Sequence, residues 1–159
     1  MKFLRRFIFL LLVPLSLIAT DFELNQLILD ANKTDKQLLL FFHKDRCGFC
    51  EKMEFNLDDN NISLLIKKDF IFVDINRDDD ETISFKEYRG TTKGFLKNLG
   101  VDLYPTIAFL NGNGEFIYEV VGYRNKKKFS HILYYIKNKL YREITFEEFE
   151  DELLIHDKS

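Results

Sequence analysis

Three mainly apolar runs stand out in the pattern of hydrophobic and polar positions. Residues 37–42 and 70–75 contain almost only large aliphatic and aromatic side chains, which is typical of strands covered on both faces. The third run, Thr106–Leu110, precedes Asn and Gly residues at 111–114 and a further apolar run at 115–121. That arrangement predicts a hairpin of two antiparallel strands.

Helical periodicity fills the spaces between these runs. Apolar residues spaced three and four apart predict amphipathic helices, and we expect them at residues 21–32, 47–57, 61–66, 94–99, 126–140 and 145–155. We expect Asn61 to cap the third helix, and Thr145 and Glu148 to form a capping box on the last helix, which we expect to dock on the domain. Residues 76–94 are polar and predict a solvated loop with a short accessory strand at 82–85.

The order of these elements predicts an α/β fold with a mixed sheet. A strand, a helix and a second strand at 37–75 form a parallel unit, and the hairpin adds antiparallel strands. The chain has 159 residues and a net charge of −3, which suits one domain with a complete core. This charge gives no reason to expect nucleic acid as a partner.

The first 20 residues have the features of a secretory signal. Lys2, Arg5 and Arg6 precede an apolar stretch at residues 7–18, and Ala19 is the best cleavage position. The stretch is short for a transmembrane helix of about 20 residues. We therefore predict a signal peptide at 1–20, a domain at 21–159 and a periplasmic location, with the segment as a membrane anchor if it is not cleaved.

Two cysteines, separated by Gly48 and Phe49, lie where the first strand is expected to end and a helix to begin. A helix N-terminus stabilises an anion, and a thiol placed there can have a pKa well below about 8.5. Cys47 would then be a nucleophile, and Cys50, one turn later, could attack the disulfide that Cys47 forms. This pattern favours redox chemistry.

Two other interpretations of the cysteine pair are possible. A structural disulfide closing so short a ring would stabilise the fold by only about 2 kcal/mol, against about 3 kcal/mol for a fifteen-residue ring. A zinc site needs four ligands, and the chain has only these two cysteines and no second ligand pair. We therefore expect no metal. The acidic run at 78–81 resembles a calcium loop only in part, because Asp79 and Phe85 occupy positions that require Gly and Glu.

Combined with Tyr104-Pro105-Thr106 at the start of a strand, the cysteine motif resembles the thioredoxin superfamily. The resemblance covers the core motifs at residues 37–140 and implies a thioredoxin fold, a central mixed sheet flanked by helices. It is greatest to exported members with an inserted loop before the proline strand, and here a further helix follows the core. The implied activity is thiol:disulfide exchange without a cofactor.

The resemblance also implies roles for individual residues. Cys47 matches the exposed attacking thiol and Cys50 the resolving thiol, while Gly48 and Phe49 would tune the redox potential. Pro105 matches a proline whose preceding peptide bond is cis, and the backbone of Tyr104 would pair with an extended substrate. Gly122 matches a glycine near the site.

One departure concerns a buried acid that thioredoxins carry in the strand before the motif. Here that position is Phe41. The role is then absent, or is taken by water, His43 or Asp45. His43 has a side chain that titrates near neutral pH, although it could equally be a surface residue at the strand end.

The Gly48-Phe49 pair is most similar to the Gly-Tyr pair of periplasmic disulfide isomerases, but the chain has no room for their dimerisation domain. We therefore expect a reductase of exported cysteine-containing proteins, kept reduced by a membrane thiol donor. The alternatives are an isomerase or oxidase, or a binding module whose cysteines stay oxidised and whose acidic last helix docks a partner.

Overall fold

The computed structural model describes residues 21–156, and the prediction of a signal peptide at residues 1–20 lies outside them. The strands are β1 (Asp21–Glu23), β2 (Gln37–His43), β3 (Phe70–Asn76), β4 (Thr82–Phe85), β5 (Tyr88–Thr91), β6 (Thr106–Leu110) and β7 (Phe116–Val121). The α-helices are α1 (Leu24–Thr34), α2 (Gly48–Leu57), α3 (Asn60–Asp69), α4 (Thr92–Leu99), α5 (Lys126–Lys137) and α6 (Phe146–His156). None of these helices is long and apolar enough to cross a membrane.

Four strands form the central sheet, in the order β3-β2-β6-β7. Strand β2 pairs in parallel with β3 and antiparallel with β6, and β6 pairs antiparallel with β7. The parallel unit and the hairpin that the sequence predicts are therefore confirmed. The prediction that β3 is covered on both faces is wrong: it is an edge strand, and Phe72 and Asp74 are exposed.

Strand β2 supplies both faces of the core because successive side chains of a strand point to opposite sides. Leu39 and Phe41 pack with α2, α3, α5 and α6 on one face. Leu38, Leu40 and Phe42 pack with α1, α4 and the side chains of β4 on the other. All five side chains are buried, so the strand that leads into the cysteine motif is held firmly from both sides.

A second sheet has three strands in the order β1-β4-β5, and β4 and β5 lie where the sequence predicts an inserted loop. The accessory strand at Thr82–Phe85 is confirmed, but β5 was not predicted. The predicted helix at 21–32 also begins later, because Asp21–Glu23 pairs in parallel with β4. Pairing between distant segments has here overridden the local helical periodicity.

The last helix docks on the domain, as expected. Phe146 and Phe149 are buried in the core beside Tyr135. The capping box is confirmed, since the backbone N–H of Glu148 donates to Thr145 Oγ1 (3.2 Å) and the backbone N–H of Thr145 donates to Glu148 Oε2 (2.8 Å). The apolar stripe of α6 therefore packs against the core of the domain.

Further predicted helix boundaries are wrong, and α3 also continues to Asp69, three residues past its predicted end. Asp59, and not Asn61, caps α3, because its carboxylate accepts a hydrogen bond from the backbone N–H of Asn61 at 3.1 Å. Helix α5 ends at Lys137, three residues earlier than predicted, and Lys139 adopts a left-handed backbone conformation before a short 3-10 helix at Leu140–Arg142.

Candidate active site

The two cysteines lie at the junction between β2 and α2, as predicted. Cys47 is the N-cap residue of α2, and its Sγ accepts a hydrogen bond from the backbone N–H of Cys50 at 3.2 Å. The two residues are joined by a disulfide. Because the free N–H groups of the helix start point at Cys47, a thiolate at this position would be stabilised.

The two sulfur-bearing residues differ in accessibility. Cys47 is half-buried, whereas only 1% of Cys50 is exposed. The residues between them face outward: 61% of Phe49 is exposed, and a methyl group added to Gly48 would meet no atom within 4 Å. A disulfide partner can therefore reach Cys47 from solvent, while Cys50 is shielded beneath it.

Tyr104 and Pro105 lie against Cys47. The peptide bond between them is cis, and the carbonyl oxygen of Tyr104 is 3.9 Å from Cys47 Sγ. The carbonyl of Pro105 accepts a hydrogen bond from the backbone N–H of Gly122 at 2.7 Å. Gly122 has a φ of 85°, a conformation that glycine adopts without steric cost. The structure thus brings the predicted residues Cys47, Cys50, Tyr104 and Pro105 together.

A family model described as a thioredoxin-like domain matches residues 24–137 of the chain. The chain belongs to the thioredoxin-like domain family. The match spans the central sheet, the cysteine pair and the Tyr104–Pro105 segment, so the thioredoxin fold expected from the sequence is confirmed. With its disulfide pair at the head of α2, this thioredoxin-like protein is a thiol:disulfide oxidoreductase.

Solved structures agree with this fold. A thioredoxin-fold protein from Helicobacter pylori is 25% identical, with a TM-score of 0.64 over 79% of this chain and 84% of that one. A thioredoxin from Thermus thermophilus is 20% identical, with a TM-score of 0.56 over 73% of this chain and 85% of that one. No curated protein matches the chain significantly.

In this thioredoxin-like protein, the end of β3 and the polar residues that follow it hold the loop before the cysteines in place. The side-chain amide of Asn76 donates to Asp45 Oδ1 (2.9 Å), and the backbone N–H of Asp45 donates to Asp78 Oδ2 (3.1 Å). The backbone N–H of Arg77 donates to the carbonyl of His43 (2.8 Å). The sequence predicts only a solvated loop here, and the role of this segment was not predicted. The signal was Asn76, which directly follows the apolar run of β3.

Phe41, at the position of the thioredoxin buried acid, is fully buried and stacks on the ring of His43, with centroids 5.0 Å apart. The two ring nitrogens of His43 face carboxylates: Nε2 is 2.7 Å from Asp74 and Nδ1 is 3.5 Å from Glu54. The hydrogen bond to Asp74 raises the pKa of His43, against the opposing effect of burial. Only 15% of the His43 side chain is exposed. The alternative interpretation of His43 as a surface residue at the strand end is therefore wrong.

Asp45, the other candidate to replace the buried acid, is exposed and holds the two loops together through Asn76 and Asp78. No group of three or more His, Cys, Asp or Glu side chains within residues 21–156 is arranged to hold a metal ion. The chemistry that the described residues support is that of the two sulfurs.

Proposed function

We propose that the protein is a periplasmic reductase, which uses Cys47 and Cys50 to reduce disulfides in exported proteins. The observation that carries the proposal is the difference between the two cysteines: an accessible Cys47 at a helix start, and a buried Cys50 one turn later. An attacking thiol must meet a protein substrate, and a resolving thiol must be protected from other partners.

In the first step, the Cys47 thiolate attacks one sulfur of the substrate disulfide. A bond forms between Cys47 and that sulfur, the substrate S–S bond breaks, and the second substrate sulfur leaves as a thiolate that takes up a proton. The N-terminus of α2 stabilises the attacking thiolate.

In the second step, the Cys50 thiol loses its proton and attacks Cys47. The Cys47–Cys50 disulfide forms, the mixed disulfide breaks, and the substrate is released as a dithiol. Two electrons pass from the cysteine pair to the substrate, so a dithiol donor must reduce the pair again. In an oxidising compartment we assign this role to a membrane protein.

The backbone at Tyr104 supports the substrate. Its carbonyl lies beside Cys47 Sγ. Tyr104 lies two residues before Thr106, the first residue of β6 that pairs with β7. An extended substrate segment can therefore pair with Tyr104 in the manner of an added strand. Phe49 and Leu103 lie next to Cys50 and Tyr104 along the chain, are 61% and 65% exposed, and offer apolar contacts to a substrate.

The direction and the location rest on sequence features. Lys2, Arg5 and Arg6 before the apolar stretch at 7–18 support export. The Gly48-Phe49 pair lacks the His of strong oxidants, in which the reduced form is highly stabilised, and this supports reduction over oxidation.

Single cysteine variants test the proposal. Cys47→Ser should abolish insulin reduction by the protein in the presence of a dithiol donor, because no attacking sulfur remains. Cys50→Ser should retain the first step and collect disulfide-linked substrates, visible on a non-reducing gel of periplasmic extract. Cys47→Ser is the matched control for trapping, and full activity of that variant would contradict the assignment of the nucleophile.

A further inference from the structure

A basic cleft, lined in part by Tyr104, opens beside the active site. We infer that it binds an acidic segment of the substrate, a stretch of Asp and Glu residues a short distance along the chain from the cysteine under attack. This inference rests on the proposed function, because it concerns the specificity of the same site.

The cleft has a volume of about 460 Å³ and lies between the end of β2, the start of the loop after β3, and α4. Its floor is apolar, with buried Leu96 and Val101. Its charged and aromatic walls are formed by Lys44, Arg77, Lys93, Lys97, Asp102 and Tyr104. Four cations thus face one carboxylate in a chain whose net charge is −3.

Most of these cations have no anionic partner in the part of the chain that the structure describes. Lys44, Lys93 and Lys97 are exposed, and none of them forms an ion pair with a carboxylate among residues 21–156. Arg77 is the exception, with its guanidinium 3.5 Å from Asp78. The lysines are therefore available to an external anion, without first breaking an ion pair within residues 21–156.

Tyr104 connects the cleft to the reacting sulfur. Its carbonyl oxygen is 3.9 Å from Cys47 Sγ, while Lys44 Nζ lies 5.7 Å from the centre of its ring. The tyrosine hydroxyl donates to the carbonyl of Val101 in the cleft floor (3.2 Å). A substrate chain that pairs with the backbone of Tyr104 would pass over this ring and place its next residues between Lys44 and α4.

Carboxylates fit this cleft because lysine ammonium groups and an arginine guanidinium are their usual partners. Since the lysines are exposed, each pair would contribute modestly to binding and would be weakened by salt. Their main effect would be on the rate at which acidic substrates associate and react. The attraction is local, because the protein as a whole is negatively charged.

The test isolates the attack by Cys47, so that it does not depend on the direction of the physiological reaction. Reduced Cys50→Ser protein is mixed with a short peptide whose single cysteine carries a 2-pyridyl disulfide. Cys47 bonds to the peptide sulfur, the pyridyl disulfide breaks, and pyridine-2-thione leaves and is measured by its absorbance. One peptide has Asp and Glu on one side of the cysteine, and its matched peptide has Asn and Gln there.

We expect the acidic peptide to react roughly three- to tenfold faster at low ionic strength, with the ratio falling towards one as salt is added. Lys93→Gln/Lys97→Gln, introduced into the Cys50→Ser protein, should remove most of this preference. Lys67→Gln/Lys68→Gln is the matched control: it also removes two exposed lysines from one helix, but from α3, away from the cleft.

The outcomes separate this inference from the proposed function. Equal rates for the two peptides, or the same loss of preference in both lysine variants, would overturn the role of the cleft while leaving the attack by Cys47 intact. If neither peptide forms a mixed disulfide with Cys47, the proposed function and this inference both fail. A preference lost only in Lys93→Gln/Lys97→Gln supports the inference.

Discussion

His43 and Lys44 are neighbours in the segment that leads to the disulfide, yet their side chains lie in opposite environments. His43 points into the protein, where its ring stacks on Phe41 and its nitrogens face Asp74 and Glu54. Lys44 is exposed, lies over the ring of Tyr104 and has no carboxylate partner among residues 21–156. Successive residues of an extended chain point to opposite sides, so one step along the chain separates the two environments.

The comparison separates two kinds of charged side chain near the cysteines: one that stabilises the fold, and one that is available to bind a ligand. Replacing His43 would remove a ring that packs on buried Phe41 and donates to Asp74 over 2.7 Å, so contacts that serve the fold would be lost. An exposed cation without a partner contributes little to stability, and its interactions with an incoming anion are not opposed by a lost internal contact. Proximity to the cysteines alone does not distinguish these two cases.

The largest expected effect is on stability, and it compares the two neighbours directly. His43→Ala should lower the free energy of unfolding of the oxidised protein by about 1–2 kcal/mol, mainly because buried Phe41 loses a ring contact. The loss of the partner of Asp74 and Glu54 adds less, because both carboxylates are accessible to water. Lys44→Ala, the matched control, should change it by less than about 0.5 kcal/mol. Urea denaturation measures the free energy of unfolding of both variants. Equal effects of the two substitutions would contradict the difference between His43 and Lys44.

A smaller effect is expected in the dependence of stability on pH. The charged groups that act on His43 are Asp74, Glu54 and Asp79, and the hydrogen bond to Asp74 is the main cause of its raised pKa. Because the folded-state pKa lies above the unfolded value of 6.5, the charged ring stabilises the fold fully below that pH. This contribution is lost as the pH rises through the folded-state pKa.

An NMR titration of the His43 ring measures this pKa, and Asp74→Asn is the control. We expect the pKa in the wild-type protein to lie above 6.5 and to fall in the variant, because the main cause of the shift has been removed. A pKa at or below 6.5 in the wild-type protein would show that burial outweighs the carboxylates.

Much of the fold could be predicted because its core segments carry unambiguous local signals. The apolar run of β2, the turn residues before β7 and the capping box of Thr145 each specify one structure with few alternatives. The cysteine pair and Tyr104-Pro105 could be placed together because the intervening elements match a known family. These parts of the site depend on residues whose chemistry is visible in the sequence.

The remainder depends on contacts between distant segments, which a single sequence does not display. Strand β1 has a helical pattern and becomes a strand only because β4 is beside it. The basic cleft is lined by Lys44, which follows β2, and by Lys93 and Lys97 of α4. These residues are about fifty positions apart in the chain. The partners of His43 likewise come from β3 and α2, so its burial could not be foreseen.

The reduction potential of the Cys47–Cys50 pair, measured by equilibration with glutathione, tests the account most directly. Each 30 mV corresponds to about 1.4 kcal/mol for a two-electron couple. A reductase that depends on a dedicated donor should have a potential of about −270 mV, as thioredoxin does. A value near about −120 mV, where strong periplasmic oxidants lie, would contradict the proposed direction and make the protein a donor of disulfides.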